Sequence, residues 1–209
     1  GDQLFFESFS GLSGAYASGE TFGDWTVVAA VEHAVVAEAA ELGIEAQSGE
    51  QVLYFSQYSS SPGFGESRID RCVTIEPSKA LRFSYWVYAD VDAVGDELRV
   101  RVNPNFYEDL ATCEGDVAAG VNDNRLNDNW ANLDWDVRLF TAGVRPNTWF
   151  HAVEATHGDE PGTMEIPAAE YPELARVVRF SLRMRDDDAA LDPSRRLVID
   201  SVRLWHTAD

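Results

Sequence analysis

The sequence predicts an all-β protein, an antiparallel β-sandwich of the jelly-roll type. Apolar and polar residues alternate with a period of two in many short segments, as expected for strands with one buried face. A period of 3.6, typical of amphipathic helices, is almost absent. Clusters of Gly, Pro, Asn and Asp separate the alternating segments. About ten short strands joined by such turns are typical of a sandwich or jelly roll.

Three segments show the alternation most clearly. In Leu81–Tyr88, every second residue from Leu81 to Val87 is apolar, and the residues between them point to the opposite face. Leu98–Asn103 and Val178–Arg185 repeat the pattern, with arginines opposite the apolar side. Further strands are predicted at Gln3–Glu7, Trp25–Ala30, Val52–Gln57, Ile69–Ile75, Leu133–Phe140, Trp149–Glu154 and Leu197–Trp205.

Three other segments need separate arguments. Val31–Leu42 is rich in alanine and glutamate, which favours a helix, but its valines and its place between two strands favour an extended piece; we predict a strand. Ala168–Leu174 is predicted to form one helical turn. Asn105–Asn129 is predicted as a loop of about 25 residues, a length that is uncommon unless the loop is functional or pinned.

Length and charge restrict the possible functions. The 209-residue chain carries 16 Lys and Arg against 36 Asp and Glu, with a formal net charge of −20 and a pI near 4.4. A chain of this size buries roughly 70% of its unfolded surface, so we expect residues 1–209 to form one domain. An acidic surface repels phosphate backbones and anionic headgroups, which argues against nucleic-acid and membrane partners. No run of about 18 apolar residues is present that could span a bilayer. We expect the protein to be a monomer.

The two cysteines indicate whether the protein resides in an oxidising compartment. Cys72 and Cys113 have no CxxC partner, which excludes a zinc or redox motif of that type. An even pair in an exported chain indicates one disulfide, although two free buried thiols would leave the same sequence. Cys113 lies in a polar stretch of sequence, where a buried free thiol would have few apolar neighbours. This favours the disulfide. The chain starts at Gly1 without a methionine or signal peptide, which suggests a removed leader, and we expect a secreted or periplasmic protein.

The polar side of the predicted sheet carries a candidate ligand surface. Aromatic rings offer flat platforms for sugar rings, and arginine forks hydrogen-bond hydroxyls or carboxylates. If their strands are neighbours, one outer face holds Trp86, Tyr88, Arg99, Arg101, Arg183 and Arg185. Arginines on one face of so acidic a protein favour a ligand with uronate or other acidic groups. The alternative is structural: the arginines pair with nearby carboxylates and cover apolar surface with their stems.

Several short motifs resemble the jelly-roll carbohydrate-binding modules found beside glycoside hydrolases, in particular the xylan- and glucan-binding type. They span nearly the whole chain and lie at Leu4–Phe9, Gly23–Trp25, Ser48–Leu53, Leu81–Val87 and Val198–Leu204. The resemblance implies a galactose-binding-like β-sandwich that binds polysaccharide or oligosaccharide. Because many domains without sugar affinity share this sandwich, the motifs support the fold better than the ligand.

The same resemblance implies a structural calcium ion. Its ligands would be the carboxylates of Glu7 and Asp200, with backbone oxygens between Gly49 and Gln51. Asp200 is predicted to lie on the apolar side of the last strand, beside Val198, Val202 and Leu204, where a carboxylate needs a cation or several donors. The alternative is a carboxylate that accepts backbone N–H bonds or pairs with an arginine.

Motifs of catalysis are missing from the sequence. It has no Gly-x-Ser-x-Gly elbow, no His-Glu-x-x-His, no phosphate loop and no dinucleotide fingerprint, and its four histidines are scattered. We therefore predict a non-catalytic, exported module that binds carbohydrate, with an acidic polysaccharide as the candidate ligand. The alternative is a cell-surface or envelope domain with a structural or protein-interaction role and no sugar affinity.

Overall fold

The computed structural model describes residues 1–30, 32–56, 67–90, 98–127, 135–138, 147–157, 160–186 and 196–208. In these ranges the chain forms two eight-stranded sheets with antiparallel neighbours, packed across one apolar core. The predicted all-β sandwich is therefore confirmed. A single 10-residue α-helix, α1 (Leu110–Ala119), lies within the described part, together with short 3-10 helices at Ala39–Leu42 and Ala168–Glu170.

Every predicted strand segment contains a strand, and five further short strands, at Gly14–Tyr16, Thr21–Phe22, Glu154–His157, Glu160–Thr163 and Glu165–Ile166, were not predicted. In chain order the strands are β1 (Gln3–Glu7), β2 (Gly14–Tyr16), β3 (Thr21–Phe22), β4 (Trp25–Ala29), β5 (Ala34–Glu38), β6 (Gln51–Phe55), β7 (Ser67–Thr74), β8 (Leu81–Asp90), β9 (Leu98–Tyr107), β10 (Trp135–Arg138), β11 (Trp149–Ala152), β12 (Glu154–His157), β13 (Glu160–Thr163), β14 (Glu165–Ile166), β15 (Val177–Asp186) and β16 (Arg196–His206). The strand predicted within Val31–Leu42 is present as β5, and the helical turn predicted after Ala168 is present as a 3-10 helix.

Each sheet has a defined strand order. The first sheet runs β11-β8-β16-β6-β5-β2, with β1 also paired to β16 and β14 also paired to β8. The second sheet runs β13-β12-β10-β9-β15-β7-β4-β3. Consecutive strands β8 and β9 therefore belong to different sheets. This separation decides which of the predicted ligand-binding residues can share a face.

Phe180 stands at the centre of the core. Its ring makes edge contacts with the rings of Phe5, Phe83 and Trp25, at centroid distances of 5.6, 5.8 and 6.3 Å. Because Phe180 and Trp25 belong to the second sheet while Phe5 and Phe83 belong to the first, these contacts join the two sheets. Each such aromatic pair contributes about 0.5–1.5 kcal/mol beyond the burial of its surface.

A β-bulge in β16 changes which side chains face the core. From Asp200 to Arg203 the strand advances three residues, while its partner β8 advances only two, from Trp86 to Ser84. Ser201 takes up the extra residue with a φ of 52°. Val202 and Leu204 lie in the main core, whereas Asp200 lies on the outer side of the sheet, in register with Trp86. The prediction that Asp200 shares the apolar side with Val202 and Leu204 is therefore wrong, because the bulge resets the alternation.

The prediction of a continuous loop over Asn105–Asn129 is also wrong, because α1 lies inside it. The Asp109 carboxylate caps the helix by accepting the Thr112 N–H at 2.7 Å, and Gly120 ends it in a left-handed conformation with a φ of 67°. The helix packs on the outer side of the second sheet, where Cys113 and Val117 meet Tyr107 and Val177.

The predicted disulfide is confirmed and fixes this helix to the sheet. Cys72 on β7 is bonded to Cys113 on α1, with the Cα atoms 6.2 Å apart. None of the described helices is long and apolar enough to cross a membrane.

Candidate functional site

The predicted six-residue ligand surface does not exist as one face. Trp86 and Tyr88 lie on β8 in the first sheet, while Arg101 and Arg183 lie on β9 and β15 in the second. Arg99 and Arg185, of which only the backbone is described, also lie on β9 and β15, directly opposite each other. Because the two sheets turn their outer sides away from each other, the aromatic and arginine residues form two separate surfaces. The prediction of a shared face is wrong, although the arginines do come together.

The arginine face is the outer side of the second sheet around Arg68, Arg101 and Arg183. Arg183 on β15 is in register with Arg68 on β7 and with Arg101 on β9, so the three residues stand side by side on adjacent strands. Directly opposed residues have Cβ atoms about 4.5–5.5 Å apart, and opposed like charges are destabilising. The backbone register continues the row to Asp136 on β10.

A buried carboxylate lies beneath this row. Asp70 accepts hydrogen bonds from Arg68 Nε at 2.7 Å and from Arg68 Nη2 at 2.6 Å, and it also accepts from Arg179 Nε. Asp70 and Arg179 are completely buried. Burial acts to raise the pKa of Asp70, but the two guanidinium groups outweigh it and hold the pKa below its ordinary value. Among the described side chains of β7, β9 and β15, Asp70 is the only carboxylate.

Amide side chains link the arginine face to the segment after α1. Arg183 Nη2 donates to Asn103 Oδ1 at 3.4 Å, and Asn105 donates to the same oxygen at 3.1 Å. Asn127 in turn donates to Asn105 Oδ1 at 3.2 Å and accepts the Phe106 N–H at 2.7 Å. The half-buried Arg183 is therefore connected to a network of amide groups in which Asn103 and Asn105 are buried.

The aromatic face is the outer side of the first sheet around Phe6, Trp86, His151, Arg203 and Trp205. The Trp86 and His151 rings stack nearly parallel, with centroids 4.5 Å apart and an interplanar angle of 5°. The Arg203 guanidinium lies over the Trp205 ring, 4.5 Å from its centroid. Phe6, which pairs with Arg203 across β1 and β16, is 45% exposed. Trp86 and Trp205 are half-buried, and His151 is exposed.

Tyr88 lies at the covered end of the same sheet. Its ring makes an edge contact with Trp149, with centroids 5.5 Å apart, and Trp149 Nε1 donates to the Glu45 carbonyl at 2.7 Å. Leu42, Ile44 and Ala46 pack over this end together with the buried Val198. The open part of the aromatic face therefore begins at Trp86 and extends away from Tyr88.

Besides Phe6, sequence reasoning missed three members of the aromatic face. Arg203 and Trp205 alternate with the apolar Val202 and Leu204, so the pattern of the last strand could have placed them on an outer side. His151 follows Trp149 by two residues and shares its face. The alternation along the strands indicated an outer position for all three residues. Only the strand register shows that they adjoin Trp86.

The residues implied as calcium ligands lie near one segment of chain. Asp200 is completely buried and accepts N–H bonds from Gln47 at 2.7 Å, Ser48 at 2.9 Å and Ser201 at 2.6 Å. Burial raises the pKa of Asp200 to about 6.

Glu7 has two N–H partners of its own. It accepts the Trp25 indole N–H at 2.9 Å and the Phe9 N–H at 3.0 Å. Gly49 approaches the end of β1 so closely that a Cβ there would lie 2.6 Å from Ser10 Oγ, and Gln51 starts β6. No group of three or more His, Cys, Asp or Glu suited to a metal occurs in the described part of the chain.

Comparisons with known proteins support the fold. TmCBM61, solved in complex with β-1,4-galactotriose, superposes with a TM-score of 0.50 at 12% identity, over 89% of this chain and 90% of that one. The chain shares the jelly-roll fold of this carbohydrate-binding module. A cleaved adhesin domain of Lys-gingipain from Porphyromonas gingivalis matches with a TM-score of 0.51 at 14% identity over 100% of both chains. An apo-form cyclase from Fischerella sp. matches with a TM-score of 0.51 at 12% identity, over 92% of this chain and 86% of that one.

These similarities concern the fold alone, because one sandwich serves proteins of different function. No family model matches the sequence, and no curated protein matches it in sequence. The resemblance to carbohydrate-binding modules that the motifs indicated is thus confirmed for the fold.

Proposed function

We propose that the chain is an exported, non-catalytic module that binds acidic polysaccharide on its arginine face. The observation that carries this proposal is the row of Arg68, Arg183 and Arg101 in register on three adjacent strands. On a protein whose net charge is −20, such a row concentrates three cationic side chains on one part of one sheet. A surface of that kind attracts an anionic partner that the rest of the molecule repels.

The chemistry of the arginine face suits a carboxylated sugar. Guanidinium groups bind carboxylates through paired, charge-assisted hydrogen bonds. Arg68 is already committed to Asp70 and to Ser181 Oγ, at 3.1 Å, so it holds the row in place. We expect the half-buried Arg101 and Arg183 to meet the ligand, with Arg99 and Arg185 as the next positions along β9 and β15.

Two further observations support sugar binding and export. A protein with the same fold, TmCBM61, was solved with a galactotriose bound, so the sandwich is able to present a glycan site. The bridge between Cys72 and Cys113 supports export, because disulfides form and persist in oxidising compartments.

Affinity measurements with charged and uncharged glycans test the proposal. A uronate oligosaccharide should bind in titration calorimetry, and its affinity should fall as salt is added, because the contacts are ionic. Arg101→Gln and Arg183→Gln should each weaken binding about tenfold or more and flatten the salt dependence. Arg176→Gln is the matched control, since Arg176 is exposed outside this face and its guanidinium donates to the adjacent Ala175 carbonyl.

Thermal melts of each variant separate a lost site from a lost fold. If folded Arg101→Gln and Arg183→Gln bind the uronate probe as tightly as the Arg176→Gln control, the arginine face is not the site. If no acidic glycan binds at all, the cell-surface structural or protein-interaction role becomes the better account.

We also propose that a calcium ion supports the fold near the segment 47–49. Ser48 of this segment donates to Asp200, and Gly49 lies against Ser10, which is three residues after Glu7 in the chain. An ionised carboxylate has about four lone-pair sites. Asp200 uses three of them on N–H donors and Glu7 uses two, which leaves capacity for a cation together with backbone oxygens near Gly49 and Gln51.

A further inference from the structure

We propose that the segment 121–127, which follows α1, positions the arginines of the arginine face and thereby sets their affinity for an anionic ligand. The inference deepens the proposed function and rests on it, because it assigns positioning residues to the same site. Two separate chains of hydrogen bonds carry it. One leads from the segment to Arg68, and the other leads from the segment to Arg183.

The first chain passes through the guanidinium of Arg179. Its Nη1 donates to Asn122 Oδ1 at 3.0 Å and to the Val121 carbonyl. Its Nε donates to Asp70, which in turn accepts both Nε and Nη2 of Arg68. Arg179 and Asp70 are completely buried, so neither group can turn to water when it loses a partner. The acceptors of the segment therefore hold Arg179, and through Asp70 they hold Arg68.

Tyr107 attaches the same segment at a second point. Arg179 Nη1 donates to the Tyr107 hydroxyl at 3.3 Å, and this hydroxyl donates to Asp116 Oδ2 at 3.1 Å. Asp116 also accepts the Asn124 N–H at 2.9 Å and the Asn124 side-chain amide at 2.7 Å. The segment 121–127 is thus bound to a buried polar network, and its geometry is defined before a ligand binds.

The second chain runs through three amide side chains. Asn127 Oδ1 accepts the Phe106 N–H at 2.7 Å, which orients the amide so that its N–H group donates to Asn105 Oδ1 at 3.2 Å. Asn105 donates to Asn103 Oδ1 at 3.1 Å. Arg183 Nη2 donates to the same oxygen at 3.4 Å. The orientation of Asn127 therefore directs an acceptor to Arg183.

Both chains keep arginines ordered before a ligand arrives. Arg183 lies directly opposite Arg68 and Arg101, and opposed like charges repel one another. Restraints are needed to keep such side chains side by side. A long side chain that is already held also loses less rotamer freedom when it binds. Loss of a restraint should therefore weaken binding although no group that meets the ligand is removed.

Variants of Asn122 and Asn127 test the inference by calorimetric titration with oligogalacturonate. Asn122 enters the first chain only as an acceptor, so Asn122→Ala should weaken binding about two- to thirtyfold and Asn122→Asp should restore it. Asn127 must accept from Phe106 and donate to Asn105, so Asn127→Asp should bind as weakly as Asn127→Ala. The two aspartate variants add the same charge, and a general electrostatic effect would weaken both.

NMR relaxation of the arginine Nε–H groups measures the positioning without any ligand. Asn122→Ala should increase the motion of Arg68, and Asn127→Ala should increase that of Arg183. The two signals are assigned by their loss in Arg68→Gln and Arg183→Gln. Asp123→Asn is the matched control, because Asp123 belongs to the same segment and has an exposed side chain. It should change the motion of neither arginine, and melting temperatures show that each variant is folded.

The outcomes separate this inference from the proposed function. If folded Asn122→Ala and Asn127→Ala change neither the motion of the arginines nor the affinity for the probe, the inference is wrong while the proposed function stands. If the wild type binds no uronate although the arginines of these variants become mobile, the proposed function fails, and the effect on affinity fails with it. Equal weakening by Asn122→Asp and Asn127→Asp would also contradict the inference, because charge rather than hydrogen bonding would then explain the loss.

Discussion

Asp70 supplies the carboxylate that compensates the buried arginine charge of the second sheet. It is fully buried between Arg68 and Arg179, and Arg179 is itself fully buried with further bonds to Tyr107 and Asn122. Removing one member of a buried ion network leaves the remaining charges uncompensated in a medium of low dielectric. The network is therefore sensitive to loss of the carboxylate that contacts both Arg68 and Arg179.

Asp70→Asn should lower the free energy of unfolding by about 3–5 kcal/mol, because two guanidinium groups lose their counter-charge while the side-chain volume is kept. Urea denaturation measures the change. Asp24→Asn is the control, since Asp24 pairs with Arg71 at 3.0 Å but is 79% exposed, and an exposed pair contributes about 0–1 kcal/mol. A loss at Asp70 no larger than at Asp24 would contradict this account.

The same residue predicts a pH dependence. The folded pKa of Asp70 lies below its ordinary value of 3.8, so its ionised form stabilises the folded state above that pH. The difference in unfolding free energy between wild type and Asp70→Asn should be constant from neutral pH down to about pH 5 and shrink as the pH falls through the folded pKa. Urea titrations at a series of pH values measure it, and a difference that grows with acid would reverse the predicted sign.

At the scale of elements, α1 is the piece that alternation could not predict. Its buried residues Cys113, Asp116 and Val117 have the helical spacing i, i+3, i+4, but one of them is an aspartate and Gly115 lies between them, so the sequence shows no apolar stripe. Its end signals were present in the sequence, an aspartate cap at Asp109 and a glycine at Gly120. The bulge at Ser201 was harder to foresee, because a positive φ at serine leaves no mark in composition.

The disulfide should account for much of the stability of the region that α1 covers. It closes a loop with a sequence separation of 41, for which the chain-entropy model gives about 4 kcal/mol. The double variant Cys72→Ser/Cys113→Ser should lose up to that amount in urea denaturation. Thiol titration of the denatured, unreduced wild type should find no free thiol, and two titratable thiols would refute the bridge.

Calcium should act through the segment 47–49. EDTA should lower the melting temperature and added calcium should restore it, since a ligand at about 100 times its Kd stabilises the folded state by about 2.7 kcal/mol, or about 5–10 °C for a chain of this size. Glu7→Gln and Asp200→Ala should abolish the response, whereas Glu50→Gln, an exposed neighbour, should keep it. No response to EDTA, with no calcium in metal analysis, would remove the ion from the proposal.

At the scale of the whole molecule, the sequence predicted where most strands lie along the chain. It did not predict which strands are neighbours in a sheet. Alternation is local: it shows that Trp86 and Arg101 each point away from the core, but not that β8 and β9 enter opposite sheets. The partition of the predicted surface into an aromatic face and an arginine face follows from that crossing. Register, which brings Arg68 beside Arg183 from distant parts of the chain, is likewise a property of the assembled sheet.

The net charge of −20 should make the stability of the whole molecule depend on salt. Like charges spread over the surface repel one another in the compact state, and added ions screen this repulsion. Raising NaCl from about 20 mM to about 500 mM shortens the screening length severalfold. The melting temperature should therefore rise, by about 2–4 °C for each kcal/mol gained. The variant Glu41→Gln/Glu45→Gln/Glu50→Gln removes three exposed charges and should show a smaller rise. A melting temperature that falls with salt would mean that attractive ion pairs, such as those around Asp70, outweigh the net repulsion.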